Sequence, residues 1–97
     1  MMRHIVLLQW TETATDQQKR EAETAFHNLP ARIPEILDFF GGSDRGLTGG
    51  AHDFAAVFTF ADVEGWRAYQ DHEAHKALVA DHLKPILAGR AVIQFDD

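Results

Sequence analysis

Phe54-Ala55-Ala56-Val57-Phe58-Thr59-Phe60 is the stretch from which the fold is read. Side chains alternate across a strand, so Phe54, Ala56, Phe58 and Phe60 share one face while Ala55, Val57 and Thr59 share the other. Both faces are mostly apolar. A strand with one wet face alternates more cleanly between apolar and polar residues, so both faces of this strand require cover.

The same holds near the start of the chain. His4 to Trp10 reads as a strand with His4, Val6, Leu8 and Trp10 on one face and Ile5, Leu7 and Gln9 on the other. Glu35 to Gly41 reads as a further strand, and Ala91 to Phe95 as the last. The segment from Gly41 to Gly50 reads as a loop or irregular edge; no lysine or helix start follows it, so it lacks the context of a phosphate loop.

Two helical regions separate the strands. Thr15 followed by Gln18 matches a capping box at the start of a helix over Asp16 to Leu29. Ala22, Ala25, Phe26 and Leu29 form its apolar stripe, and Pro30 and Pro34 are expected to stop it. Asp62 is placed to cap a short helix carrying Val63, Trp66 and Tyr69. A longer helix is expected from His72 to about Ala88, with a stripe of Ala74, Leu78, Val79, Leu83, Ile86 and Leu87, bent or ended early by Pro85 and followed by Gly89 as a C-cap.

The order is β-α-β-β-α-β, the α+β ferredoxin-like arrangement with a four-stranded antiparallel sheet. Its helices cover one face of the sheet only. A second copy of the chain, sheet against sheet, is the economical cover for the other face and closes a dimeric α/β barrel.

Composition sets the class. The 97 residues are expected to form one domain, 1–97, with a modest core. There are no cysteines, which removes disulfides, thiolate metal sites and cysteine nucleophiles. The net charge of −6 argues against nucleic acid and against an anionic membrane surface, both of which ask for clustered Lys and Arg. The first ten residues lack the apolar run of a signal peptide, and no stretch approaches a membrane span, so a cytoplasmic protein is expected.

Chemistry concentrates in Trp66-Arg67-Ala68-Tyr69-Gln70-Asp71-His72-Glu73-Ala74-His75, where a phenol and two imidazoles lie within seven residues. An imidazole titrates near neutral pH and serves as a general base; a phenol donates to a developing enolate oxygen. Tyr69 and His75 are therefore the candidate catalytic pair. Equally, such residues read as a core-edge tyrosine and a satisfied helix histidine. His4 is read either at the mouth of the same pocket or as a hydrogen-bonded strand-end residue. Trp10, Phe26, Phe58, Trp66 and Leu78 are expected between sheet and helices, as core or as the walls of an apolar small-molecule site. His72, His75 and His82 have helical spacing, but no further ligand completes a metal site. No metal and no cofactor are expected. His27 and His52 read as surface.

The whole run resembles the stress-responsive α/β-barrel (Dabb) family. Arg3-His4-Ile5-Val6-Leu7-Leu8 is similar to that family's opening. Leu29-Pro30 with Ile33-Pro34 resembles the segment after its first helix. Asp53 to Phe60 is similar to its third strand, and Tyr69 to His75 to its Tyr…His-Pro-x-His stretch, with Glu73 in place of the proline. The resemblance implies a dimeric ferredoxin-like barrel. It also implies a pocket lined by His4, Val6, Leu8, Phe26, Ala56, Phe58, Trp66, Leu78, Val92 and Gln94. A plant member, olivetolic acid cyclase, closes a polyketide by aldol condensation with a tyrosine and a histidine at the positions of Tyr69 and His75. Gln94 stands where that cyclase is aliphatic. The resemblance further admits a backbone-bound cation in the Pro30–Ile36 turn. Two functions are thus on the table: a cofactor-free cyclase, aldol or isomerase-type enzyme, or a non-catalytic stress-associated or ligand-binding homodimer.

Overall fold

The computed structural model describes residues 1–97. In chain order the elements are β1 (Met2–Trp10), α1 (Asp16–Arg32), β2 (Asp38–Ser43), β3 (Phe54–Phe60), α2 (Val63–Asp71), α3 (Glu73–Leu78), a π turn (Val79–Leu83) and β4 (Leu87–Asp96). The four strands form one sheet in the order β2-β3-β1-β4, with every neighbouring pair antiparallel. This is the ferredoxin-like βαββαβ fold.

Local chemistry accounts for most element ends. The Thr15 hydroxyl accepts from the Gln18 amide N–H at 3.1 Å, and the Gln18 side chain accepts from Thr15 N–H at 2.9 Å, completing the capping box of α1. Asp62 accepts from Gly65 N–H at 2.9 Å and starts α2.

Four expectations are corrected. Pro30 does not stop α1, which runs on to Arg32; the proline withdraws only its own N–H, and Ile33 N–H still reaches Leu29 O at 2.9 Å. β2 lies at Asp38–Ser43 instead of Glu35–Gly41, so Gly41 and Gly42 belong to the strand. Gly41 is needed there: a Cβ on it would collide with the Ala55 carbonyl oxygen of β3. The long helix from His72 to Ala88 is in fact α3 followed by a single π turn, in which Lys84 N–H bonds Val79 O at 2.9 Å. β4 then begins at Leu87, so Gly89 is a strand residue and caps no helix.

The core fills the space between helices and sheet. Leu8, Phe54, Ala56, Phe58 and Phe60 from the sheet meet Ala22, Phe26, Leu29, Tyr69 and Leu78 from the helices. The opposite sheet face has no helix over it. It presents Phe40, Ile93 and Phe95, respectively 56%, 56% and 44% exposed.

Candidate active site

The antiparallel register of β1 and β4 sets the floor of a cavity. His4 lies opposite Gln94, Val6 opposite Val92, and Leu8 opposite Arg90. All six line one cavity of about 550 Å³ between the sheet and the second helical region. Its roof comes from Phe26 of α1, from Trp66, Tyr69 and Gln70 of α2, and from His75 and Leu78 of α3. The π turn and the residues after it add Val79, Leu83, Lys84 and Leu87. A π turn at a cavity wall is a common device for re-aiming side chains.

His72 explains how Tyr69 and His75 meet. It ends α2, with its N–H donating to Tyr69 O at 3.2 Å. It also starts α3, its Nδ1 accepting from Ala74 N–H at 3.0 Å. The break turns the chain so that the Tyr69 and His75 rings pack with centroids 4.4 Å apart. His72 is thus a capping residue. Glu73 in the first turn of α3 suits the positive end of that helix.

Tyr69 is 2% exposed and packs on Phe58 and Phe60, with centroids at 5.0 and 5.3 Å. Burial raises its pKa well above the ordinary phenol value, which keeps the hydroxyl protonated. His75 is shifted downward, chiefly by burial. The Gln70 carbonyl partly opposes that shift and the Arg90 charge adds to it. Its Nδ1 is buried without a hydrogen-bond partner of good geometry, which leaves Nε2 as the nitrogen a ligand can meet. His4 sits 5.8 Å from Tyr69 by ring centroids, and Gln94 Nε2 lies 2.8 Å from its Nδ1. Burial, then the neighbouring His75 and Arg90, lower the His4 pKa to about 4. Both imidazoles are therefore neutral at pH 7.

Of the residues singled out from the sequence, Ala56 and Phe58 sit beside Val6 and His4 on β3, fully buried, and do not line the cavity. Trp10 packs on Phe54 with centroids 6.4 Å apart and is likewise outside the lining. Gln70, Lys84 and Arg90 line the cavity but were not anticipated. The signal for Arg90 was available: it shares the Val92–Gln94 face once β4 is extended one residue toward its start. His27 packs edge-on to Phe39 at 5.1 Å, and His82 borders a groove with Arg32 and Asp81 on the far side of α3.

No three His, Cys, Asp or Glu side chains converge as a metal site would require. In the Pro30–Ile36 turn, the Ile33 carbonyl already accepts from Ile36 N–H at 3.1 Å.

The fold and site define a class: a ferredoxin-like α+β protein with an apolar cavity over one sheet face and a Tyr–His pair in its wall. The chain belongs to the family described as the Stress responsive A/B Barrel Domain, which it matches over residues 2–97. It is similar to a dimeric ferredoxin-like protein of unknown function from Thermobifida fusca. The two are 44% identical, with 97% of this chain and 88% of that one covered and a TM-score of 0.88. A Dabb family protein from Mesorhizobium loti shares the fold at 19% identity, with 99% and 95% covered and a TM-score of 0.83. So does a hydroxynitrile lyase from Passiflora edulis, at 19% identity, with 97% and 90% covered and a TM-score of 0.84. Among curated proteins none matches the chain. No helix is long and apolar enough to cross a membrane.

Proposed function

We propose that this chain is a small-molecule enzyme of the cyclase, aldol or isomerase type, moving a proton beside a carbonyl without a cofactor. The observation that carries this reading is the Tyr69–His75 pair, packed at 4.4 Å in the wall of a cavity of about 550 Å³. That volume suits a small organic ligand.

Neutral His75 takes a proton from the carbon next to the carbonyl, and the electron pair of that C–H bond moves toward the oxygen. The Tyr69 hydroxyl, held protonated by burial, donates to that oxygen. The imidazolium then returns its proton to carbon in an isomerisation. In an aldol closure it delivers the proton to the new alkoxide. The apolar walls exclude water and strengthen the Tyr69 hydrogen bond.

The functional unit in this reading is a homodimer joined through the open sheet face. Phe40, Ile93 and Phe95 support that assembly, as does the dimeric Thermobifida fusca relative. Exposed apolar residues grouped on one sheet face mark an interaction surface.

The test is hydrogen–deuterium exchange at carbon, followed by NMR in D2O, on a panel of ketone and thioester probes. Exchange above the buffer rate, lost in His75→Ala and reduced in Tyr69→Phe, supports the proposal. Saturable binding with no exchange on any probe would replace it with the ligand-binding reading of the same cavity.

A further inference from the structure

The cavity carries more positive charge than proton transfer needs. Lys84 and Arg90 both line it, and none of its 16 lining residues is acidic. This is unexpected in a chain of net charge −6. The one ion pair in the structure joins Arg3 to Asp97, so neither cavity cation is neutralised within the chain. An apolar pocket holding two unpaired cations is built for an anion with an apolar body.

The strand register supplies a ruler. Arg90 lies opposite Leu8 and Gln94 opposite His4, so the two are four residues apart on β4, about 13 Å of strand. Val6 and Val92 lie between. The Arg90 charge is felt by both imidazoles and lowers the pKa of His4 and of His75. We infer that the ligand is a mostly apolar anion, its acidic group held by Lys84 and Arg90 and its reacting end against Tyr69 and His75. This rests on the small-molecule reading of the cavity and adds the ligand's charge class. Lys84 and Arg90 are ligand-binding residues in this scheme.

Calorimetric titration of the whole chain tests it with three matched series of straight-chain probes: the carboxylates from hexanoate to decanoate, their primary amides, and alkyl phosphates of the same lengths. At least one anionic series is expected to bind about tenfold more tightly than the amides, as a charge-assisted hydrogen bond provides. The preference should shrink as salt is raised. It should fall to near unity in the Lys84→Gln/Arg90→Gln double variant. Both side chains are exposed, so the double variant should fold. A carboxylate preferred to its phosphate identifies a carboxylic acid; the reverse identifies a phosphate ester. Equal binding of acids and amides, or a preference that survives the double substitution, overturns this inference alone. Failure of all three series to bind overturns the small-molecule reading with it.

Discussion

Gln94 Nε2 lies 2.8 Å from His4 Nδ1, on strand positions directly opposite one another. An amide nitrogen only donates, so Nδ1 accepts and the proton of the neutral ring sits on Nε2. Gln94 thus fixes the His4 tautomer and makes Nε2–H a donor for the cavity. Replacing Gln94 with Leu removes that restraint. The ¹⁵N shifts of His4 should move from the Nε2–H pattern toward a tautomer mixture, and stability should fall by about 1 kcal/mol. Unchanged ring shifts would show that something other than Gln94 sets the tautomer.

His75→Ala should separate chemistry from folding. Its buried Nδ1 has no partner of good geometry beyond the nearby Gln70 carbonyl, so removing the ring breaks at most one weak hydrogen bond. Stability should change by no more than about 1 kcal/mol, since a desolvated polar atom is removed together with the packing of the ring. Exchange activity should drop about 10²- to 10⁴-fold, the usual worth of a general base. A fall in melting temperature that matches the fall in activity would make His75 a structural residue.

Acid should destabilise the protein in a defined window. The His4 pKa is lowered from 6.5 unfolded to about 4 folded, and that of His75 is lowered too. As pH falls through 6.5, the unfolded chain takes up protons that the folded chain refuses. Stability is therefore full above pH 6.5 and declines toward pH 4, with a limiting slope for His4 of about 1.4 kcal/mol per pH unit. Urea midpoints measured from pH 7.5 to 4.5 give the slope, and a His4→Asn variant isolates the imidazole from the carboxylates. A variant as acid-sensitive as the natural chain would sink the assignment. The lowered His75 pKa also implies that exchange activity persists below pH 6.5, where an ordinary histidine would already be protonated.

The fold was legible where burial is two-sided. Phe54–Phe60 was placed to the residue, because an unbroken apolar run of that length has few other solutions. β2 was misplaced because it is an edge strand with two consecutive glycines. Those residues signal a loop in sequence, and the close approach of Ala55 O that demands Gly41 exists only once the sheet has formed. The end of the second helical region was hidden for a related reason. Leu83, Ile86 and Leu87 continue a helical stripe, but a π turn precedes Pro85 and the chain is already extended at Leu87. In the site, Tyr69 and His75 were readable as chemistry, whereas their contact depends on the helix break at His72. Lys84 was invisible because a cation near a helix end looks like solvated surface until the opposite wall is in place, and Arg90 fell one residue outside the strand expected from Ala91.

Ile93→Glu tests the assembly. Ile93 pairs with Ile5 on the uncovered sheet face, on the edge strand β4, and is 56% exposed in the single chain. A carboxylate there meets water in a lone protomer and costs that protomer little. In a sheet-to-sheet dimer the same carboxylate would be buried against the partner's apolar face, at a cost of several kcal/mol. The natural chain should therefore elute as a dimer by light scattering, and the variant as a monomer with an unchanged circular-dichroism spectrum. A variant that remains dimeric with undiminished stability would move the interface off this face. Another surface would then have to be found for the dimer, and Phe40, Ile93 and Phe95 would need a different occupant.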